Sequence, residues 1–453
     1  MLERTSPLTQ LIDRLASGET TPEAIVAASA RCANGNASLN TYIHFSERAL
    51  REQAQSLSVQ SLSGRFVSDT SRLPLFGIPM SLKDCFDLAG TVTTCGARYY
   101  AEHHPPAAED SPMAARLRAS GALITGKTHL HPLAYGITGQ NPDYGDCLQP
   151  RDASLLTGGS SSGAAASVQE GSALVAIGTD TGGSVRVPAA LCGLAGYRAS
   201  RSLAYAAGPW PSAPEGLWAG AAHLAPSFDT VGLLLRDPRD AAPIAQALFG
   251  VPFGTILKEP RIGFVGEAFL GDCEADVLAA FDAWRRKMET GGAALAEIDT
   301  APWAGSQEIF AGIQAHEAAE LHRGHYDEFE PAIAQRLHWG ASLTETELAP
   351  LKQRRAAISA SIASLSQDFD FLVLPCAPVS RLLAAEDQSS TRARILRYTT
   401  PFSLAGLPVV ALPGELIGAP MGTGVQLAAA PGADGKLLAY AGALAQAVAE
   451  EQG

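Results

Sequence analysis

The chain has 453 residues, of which 46% are hydrophobic and 17% charged, a composition typical of a globular protein and not of a disordered one. Its 33 basic and 46 acidic residues give a net charge of −13, which disfavours nonspecific binding to nucleic acid or to an anionic membrane. The apolar runs are far shorter than the roughly 20 residues of a membrane span, and the N-terminus lacks the apolar segment of a signal peptide, so we expect a soluble cytoplasmic protein.

The first predicted elements are two helices. Ser6-Pro7 and Thr21-Pro22 each place a capping side chain before a proline at the first helical position. We expect these N-terminal helices to lie within residues 6–55 and to precede the central part of the chain. The serine-rich segment 56–72 that follows is predicted to be a surface loop.

Strands and helices then alternate along the chain. An apolar run that ends at Lys83 predicts a strand, residues 113–120 predict a helix, and residues 122–125 predict the next strand. The later predicted elements are a strand at 261–265 and helices at 274–290, 326–365 and 436–450. This alternation indicates an α/β fold in which a mixed, mostly parallel β-sheet is covered by helices on both faces.

The most informative segment is ALVAIGTDTGGSVRVPA, residues 173–189. An apolar, strand-like run leads into a glycine turn that has Ser184 at its tip, and a helix start follows. The backbone N–H groups of Thr181, Gly182 and Gly183 could converge there on an oxyanion. The pattern therefore predicts a strand-to-helix elbow from which Ser184 attacks a carbonyl carbon.

A serine hydroxyl is a weak nucleophile and needs a base. Lys83 is a candidate, because burial by the apolar residues before it would lower its pKa from the roughly 10.4 of a free lysine. A further segment, LLTGGSSSGAAA at 155–166, places three serines, including Ser160, between a glycine pair and an alanine-rich stretch. Glycine and serine alone are typical of a flexible linker, whereas the alanine-rich continuation predicts a helix.

Four segments together resemble the amidase signature family of serine hydrolases in their order and spacing. They are LFGIPMSLKD at 75–84, GKTHLHPLAYG at 126–136, TGGSSSGAAAS at 157–167 and GTDTGGSVRVPAALCGLAGYR at 178–198. The resemblance implies one large α/β domain over residues 1–453, with a catalytic core at about 73–240 and a helical region at about 305–365 that shapes the substrate site.

The same resemblance implies roles for individual residues. Ser184 resembles the nucleophile, Ser160 the cis-serine that relays a proton, and Lys83 the general base. The supporting positions are the oxyanion-hole residues Thr181, Gly182 and Gly183 and the bracing pair Asp180 and Arg186. We expect that pair to be structural, because an acidic group beside an oxyanion would oppose its charge.

One segment departs from the family pattern. His129, Leu130, His131 and Pro132 stand where the family commonly has an asparagine followed by an acidic residue, near its acyl pocket. Two histidines at alternate positions also suggest a metal site, but no third ligand lies at a telling spacing, so we predict neither a metal nor another cofactor. The seven cysteines are scattered without a CxxC pair, as is typical of reduced thiols.

Substrate contacts are predicted in two places. His129 and Tyr135 lie in or next to the departing segment, and Trp210 and Trp218 lie in a stretch rich in proline and aromatic residues at 203–228. Such long ordered loops often form lids or pocket walls. The alternative interpretation is that these aromatic side chains only pack the loop onto the domain.

The leading functional prediction is a hydrolase of amide bonds, with ester and carbamate (urethane) bonds as further candidates, since an acyl-enzyme on Ser184 can form from each. Its partner would be a small-molecule substrate, and the enzyme would be a monomer or homodimer. The alternative is the glutaminase-like component of a tRNA-dependent amidotransferase, a role that the same family performs within a multi-subunit complex. A catalytically inactive binding protein is disfavoured, because Lys83, Ser160 and Ser184 are all present.

Overall fold

The fold is built around an eleven-stranded β-sheet flanked by helices in a single α/β domain. The computed structural model describes residues 5–60, 73–205 and 216–452. The strands of these residues are β1 (Tyr42–Phe45), β2 (Pro79–Lys83), β3 (Leu123–Thr128), β4 (Leu148–Gln149), β5 (Asp152–Leu156), β6 (Val175–Thr179), β7 (Ala195–Arg198), β8 (Val231–Leu235), β9 (Arg261–Val265), β10 (Ala294–Ile298), β11 (Phe371–Pro375), β12 (Val409–Pro413) and β13 (Gly424–Ala428).

The helices are distributed along the whole described chain. They are α1 (Pro7–Ala16), α2 (Pro22–Gly35), α3 (Glu47–Gln60), α4 (Arg98–His103), α5 (Pro112–Ala119), α6 (Ser162–Glu170), α7 (Arg186–Leu191), α8 (Arg201–Tyr205), α9 (Ala241–Phe249), α10 (Glu267–Leu270), α11 (Ala275–Thr290), α12 (Ser306–Leu321), α13 (Pro331–Ser342), α14 (Glu345–Asp368), α15 (Ser389–Leu404) and α16 (Asp434–Gln452). Within the ranges that the structure describes, no helix combines the length and hydropathy needed to span a bilayer.

The order of strands in the main sheet is β1-β3-β2-β6-β8-β7-β12-β13-β11-β9-β10, and β4 pairs with β5 separately. The prediction of a mixed sheet is confirmed, but the expectation that it is mostly parallel is wrong. Of the ten strand pairs that the described residues form in this sheet, only β2 with β3, β2 with β6, β9 with β10 and β9 with β11 are parallel. A short connection joins β12 directly to β13, and such a return makes neighbours antiparallel where a crossover helix would make them parallel.

Helices cover both faces of the sheet. Successive side chains of a strand point to opposite faces, and along β6 Ala176 packs with the alanines of α6 and α7. Its neighbours Val175 and Ile177 belong to the larger core that contains residues of α5, α9 and α16. The small side chains on the first face let α6 and α7 approach the sheet closely.

The predicted N-terminal helices are confirmed. The Ser6 hydroxyl accepts a hydrogen bond from the Thr9 amide at the start of α1, and the Thr21 hydroxyl accepts one from the Ala24 amide at the start of α2. The predicted loop at 56–72 is wrong for its first residues, because 56–60 continue α3. Residues 61–72 lie outside the described residues.

Two neighbouring parallel strands carry the predicted catalytic segments. Lys83 is the last residue of β2, and Asp180 follows the last residue of β6. Because the carboxyl ends of parallel strands meet at one edge of a sheet, the lysine and the serine elbow are brought to the same place. Strand pairing therefore brings Lys83 and the elbow together although they are far apart in the chain.

Candidate active site

Lys83 is fully buried at the end of β2. Its Nζ donates hydrogen bonds to Ser160 Oγ at 2.8 Å, to Thr179 Oγ1 at 2.7 Å and to Ser161 Oγ at 3.1 Å. Within the described ranges no carboxylate forms an ion pair with it. Burial disfavours the ammonium form and lowers the pKa of Lys83 from 10.5 to about 8, while more distant negative charges oppose the shift only partly.

The serine-rich segment forms a turn between β5 and α6. Its Gly159–Ser160 peptide bond is cis, and Ser160 is fully buried. Ser161 is held against β6, since its Oγ donates to the Thr179 carbonyl and accepts from the Thr179 amide. The linker interpretation of this stretch is therefore wrong, and the alanine-rich continuation is helical from Ser162 to Glu170 as predicted.

The elbow after β6 has the predicted strand-turn-helix form. Gly183 has φ +121°, and a Cβ there would lie 2.8 Å from the side chain of Thr399. A Cβ at Gly182 would lie 2.6 Å from the ring of Phe310. Only glycines fit at these two positions, and α7 begins just after Ser184 at Arg186.

Ser184 is held next to the serine segment by a backbone hydrogen bond, in which the Ser161 amide donates to the Ser184 carbonyl at 3.1 Å. Ser184 keeps 4% of its surface exposed, whereas Ser160 and Lys83 are completely buried. The Ser184 hydroxyl has no hydrogen-bond partner among the described residues. It is thus the member of the three that a ligand can reach.

Asp180 is the centre of a buried charge cluster behind the elbow. Its carboxylate accepts from Arg186 Nε at 3.0 Å and Nη2 at 2.9 Å, and from Arg198 Nη1 at 3.1 Å. Burial alone would raise the pKa of Asp180, but the charges of the two arginines and their hydrogen bonds outweigh it and hold the pKa well below its usual value. The predicted ion pair of Asp180 and Arg186 is present. Arg198 also pairs with Asp180, which the sequence did not indicate.

The backbone N–H groups of the elbow differ in whether they already donate a hydrogen bond within the protein. The Gly183 amide donates to Asp180 Oδ1 at 2.8 Å, so the prediction that it serves the oxyanion hole is wrong, because its hydrogen is already engaged. The amides of Thr181, Gly182 and Ser184 have no acceptor among the described residues. The Thr181 hydroxyl donates to Asp229 at 2.6 Å, which fixes the start of the turn.

His129 does not contact the space around the site. It is 1% exposed, its Nε2 donates to the Gly145 carbonyl at 2.8 Å, and its Nδ1 therefore accepts from the Ser162 hydroxyl at 2.8 Å. The predicted substrate contact at His129 is wrong, since one ring nitrogen bonds the side chain of the first residue of α6 and the other bonds the Gly145 carbonyl. Among the residues that the structure describes, no three histidine, cysteine, aspartate or glutamate side chains come together as a metal site.

The other predicted substrate contacts also differ from expectation. Tyr135 is 2% exposed beneath the Arg336 guanidinium, which lies 4.3 Å from its ring centre, so little of the ring is left for a substrate. Trp218 is 1% exposed and packs between Phe86, Tyr205 and His223. For Trp218 the packing interpretation is the correct one, and Trp210 lies outside the described residues.

A cavity of about 210 Å³ begins beside Lys83, at Cys85, and its lining includes Tyr100, His104 and His322, which the sequence analysis did not select. The sequence carried a signal for them. In YYAEHH, residues 99–104, two tyrosines stand four positions before two histidines, and such i,i+4 pairs are neighbours on a helix surface. In the structure Tyr100 stacks on His104 with ring centres 4.4 Å apart.

Comparison with known proteins agrees with this geometry. Residues 23–438 match the family model described as Amidase. AtzE, a 1-carboxybiuret hydrolase component of Pseudomonas sp. (strain ADP), is 28% identical over 452 residues, which cover 93% of this chain and 94% of that protein. A glutamyl-tRNA(Gln) amidotransferase component of Deinococcus radiodurans is 29% identical over 476 residues, with 96% of each chain covered.

A solved structure described as a crystal structure of amidase is similar in three dimensions. It superposes with a TM-score of 0.83 at 32% sequence identity and covers 96% of this chain and 98% of its own. The similarity in sequence and in structure extends over nearly the whole length of the protein, well beyond the serine and lysine segments. The chain therefore belongs to the amidase signature family of amide hydrolases.

Proposed function

We propose that the protein hydrolyses amide bonds of small molecules through an acyl-enzyme on Ser184, with Ser160 as proton relay and Lys83 as base. The observation that carries this proposal is the 2.8 Å hydrogen bond from Lys83 to Ser160. Lys83 is buried and forms no ion pair with a carboxylate of the described residues. A lysine whose pKa is lowered toward neutrality by burial can accept a proton near physiological pH.

The proposed acylation starts with attack of Ser184 Oγ on the substrate carbonyl carbon. The serine proton passes to Ser160 Oγ while Ser160 gives its own proton to neutral Lys83. The proton then returns through Ser160 to the leaving nitrogen, so that the C–N bond breaks and a neutral amine departs. The free amides of Thr181, Gly182 and Ser184 are the groups suited to stabilise the negative charge on the carbonyl oxygen.

Deacylation uses the same residues in the reverse direction. A water molecule loses a proton through Ser160 to Lys83 as its oxygen attacks the acyl carbon, and Ser184 leaves with that proton. The product is a carboxylic acid. Because the acyl-enzyme requires only a carbonyl with a leaving group, we extend the proposal to esters, which expel an alcohol, and to carbamates, which leave a carbamoyl or an alkoxycarbonyl group on Ser184.

Replacing Ser184 by alanine tests the proposal. Ser184→Ala should lower kcat for a small amide by at least about 10³-fold with the melting temperature unchanged, since the hydroxyl fills no core volume and has no described partner. Ser342→Ala is the matched control, because Ser342 is exposed at the end of α13, and it should retain full activity. A fluorophosphonate should label the wild type and Ser342→Ala but not Ser184→Ala. Retention of more than about a tenth of the wild-type rate by Ser184→Ala would falsify the assignment.

A second candidate function is favoured by the similarity to the glutamyl-tRNA(Gln) amidotransferase component. In that case the chain would release ammonia from glutamine as part of a complex. The two candidates differ in what the isolated chain does. A stand-alone hydrolase turns over simple amides when purified alone, whereas the second function requires glutaminase activity that appears only with partner proteins.

A further inference from the structure

We propose that the cavity beside Lys83 binds an uncharged aromatic ring of the substrate. This inference rests on the proposed function, because it concerns the part of the substrate that extends from the carbonyl attacked by Ser184. The cavity has a volume of about 210 Å³. In other proteins an apolar cavity of roughly 150 Å³ is enough to hold benzene, so a single substituted ring fits this one.

The floor of the cavity is attached to the proposed catalytic residues. Cys85 follows Lys83 in a tight turn, in which the Cys85 amide donates to the Lys83 carbonyl at 2.8 Å. Leu130 and Leu133 form another part of the floor, and between them the His131 amide donates to the Ser160 carbonyl at 3.2 Å. These lining residues are buried, so the floor lies deep in the protein next to the lysine and the relay serine.

A third side of the cavity is linked to the elbow. His223 lines the cavity, and its Nδ1 lies 2.9 Å from Asp229 Oδ2. The other oxygen of Asp229 accepts the hydrogen bond from Thr181, at the start of the turn that carries Ser184. Trp218 stacks behind His223 with ring centres 5.1 Å apart and thus supports this side without lining it. The lining is therefore connected, through the chain or through hydrogen bonds, to each of the three catalytic segments.

The outer wall is aromatic and held in place. We call Tyr100, His104 and His322 the aromatic wall. Tyr100 stacks on His104, and its hydroxyl lies 2.5 Å from His322 Nδ1. Aromatic side chains attract a further ring in stacked or edge-to-face arrangements, and the polarisable sulfurs of Cys85 and Cys95 on the floor favour ring contacts as well.

The lining of the cavity offers few charged groups to a ligand. Within the described part of the chain, no aspartate, glutamate, lysine or arginine side chain lines it. Burial lowers the pKa of His322 to about 4, and it raises the pKa values of Tyr100 and Cys95 above their usual range and that of Cys85 to about 11. A charged substituent would lose its hydration here with no carboxylate, lysine or arginine side chain of the described lining to pair with, whereas burial of a neutral ring carries no such cost.

One polar group of the wall is left without a partner. His322 Nε2 is buried and has no hydrogen bond within the described ranges. It can therefore pair with a polar, uncharged substituent on the ring. Leu321 is 46% exposed and Ala222 is exposed, which places the mouth of the cavity at these two residues.

The test compares two reagents that react with the same nucleophile. Phenylmethanesulfonyl fluoride and methanesulfonyl fluoride both transfer a sulfonyl group to a serine oxygen with loss of fluoride, and they differ by one phenyl ring. After correction for their rates of hydrolysis in buffer, we expect the phenyl reagent to inactivate the wild type at least about tenfold faster. Peptide mass spectrometry should locate both adducts on Ser184.

Filling the mouth of the cavity should remove that preference. Ala222→Phe should slow the phenyl reagent at least about tenfold and leave the methyl reagent within about twofold, which also shows that the variant is folded and that its nucleophile is intact. Ala279→Phe is the matched control, because it adds the same ring to an exposed alanine of α11, and it should change neither rate. Tyr100→Ala should weaken the preference for the phenyl reagent, because it removes one ring of the aromatic wall.

Turnover then shows which side of the scissile bond carries the ring. The kcat/KM values of phenylacetamide, acetanilide and propionamide are compared in the wild type, Ala222→Phe and Ala279→Phe. A loss in Ala222→Phe confined to phenylacetamide or to acetanilide supports the proposal and assigns the ring to the acyl or the amine part. Equal rates for the two reagents in the wild type, or equal losses on all three amides, would overturn it. Absence of any Ser184 adduct would instead contradict the proposed function.

Discussion

Two buried lysines on neighbouring strands have opposite environments. Lys83 ends β2, and Lys127 lies on the parallel strand β3 opposite Leu82. Both are completely buried. Lys127 Nζ forms an ion pair with Asp84 Oδ1 at 2.6 Å, whereas the hydrogen bonds of Lys83 Nζ to described residues all go to the hydroxyls of two serines and a threonine. Asp84, the residue that follows Lys83 in the chain, is thus the counter-ion of Lys127.

The difference separates a structural lysine from a chemical one. A buried charge with a close counter-ion is stabilised in its charged form, and removing one partner leaves the other exposed to the full cost of desolvation. A buried ammonium without a counter-ion gives up its proton more easily, which is why the pKa of Lys83 falls to about 8. Substitutions at the two positions and changes of pH should therefore have different effects on activity and on stability.

The largest expected effect is on catalysis. On the proposed role, Lys83→Met should lower kcat/KM at least about 10³-fold, because Ser160 loses the group that takes its proton. The free energy of unfolding should change by no more than about 1 kcal/mol, since the lost hydrogen bonds are offset by removal of an unpaired buried charge. Steady-state kinetics and urea denaturation measure the two quantities. A fall in stability equal to that of a Lys127 variant would contradict the contrast.

Lys127→Met should instead act on stability. It leaves the carboxylate of Asp84 buried without its counter-ion, and we expect a loss of about 3–5 kcal/mol in the free energy of unfolding. Adding Asp84→Asn to Lys127→Met should restore part of that loss, because the second change removes the orphaned charge. A double-mutant cycle in urea measures the coupling. Additive effects of the two changes would show that the pair does not act as a unit.

The pH profile should report Lys83. Because the neutral amine is the base and the pKa of Lys83 is about 8, kcat/KM should fall about tenfold per pH unit below that value and reach a plateau above it. Burial lowers the pKa of His129 to about 4, so a profile with its inflection there would point to that histidine instead. Ser342→Ala should have the wild-type profile.

The same shift predicts how stability depends on pH. Between about pH 8 and 10.5 Lys83 is largely neutral in the folded protein and still protonated in the unfolded chain. The unfolded state then binds more protons, so the free energy of unfolding contributed by this group rises with pH, by up to about 1.4 kcal/mol per unit. The difference in stability between wild type and Lys83→Met, measured across this interval, should show that slope.

The smallest effect is expected at a surface lysine. Lys352 pairs with Glu345 at 3.0 Å, with both side chains more than half exposed. Exposed ion pairs contribute little, so Lys352→Met should change the free energy of unfolding by less than about 0.5 kcal/mol and leave kcat/KM unaltered. A large loss here would mean that the lysine-to-methionine change itself, and not burial, causes the effects above.

The local structure of the site followed from the sequence because the signals lie within a few residues of one another. Gly182 and Gly183 stand where a Cβ would collide with Phe310 and Thr399, and the elbow at Ser184 has the predicted form. The alanine-rich pattern after Ser160 likewise predicted α6. Family resemblance supplied the three proposed catalytic residues.

The structure differs from the sequence-based expectations at residues whose hydrogen-bond or packing partners depend on the folded chain. The Gly183 amide was expected to be free, but the Asp180 carboxylate three residues earlier binds it. Trp218 lies in a segment whose proline and aromatic residues suggested a binding loop. Its side chain is nevertheless buried against Phe86 and His223. The wall formed by Tyr100, His104 and His322 was missed because it joins α4 to the end of α12, more than two hundred residues away.

The sequence by itself determined the reactive groups, the glycines that shape their turns and the family to which the chain belongs. Only the tertiary structure decided which charges meet. Asp84 follows Lys83 directly, yet its carboxylate binds Lys127 on the next strand, because strand pairing and not chain order sets the neighbours of a buried side chain. Among the residues that the structure describes, that choice leaves Lys83 without a close counter-ion, and desolvation then lowers its pKa toward neutrality.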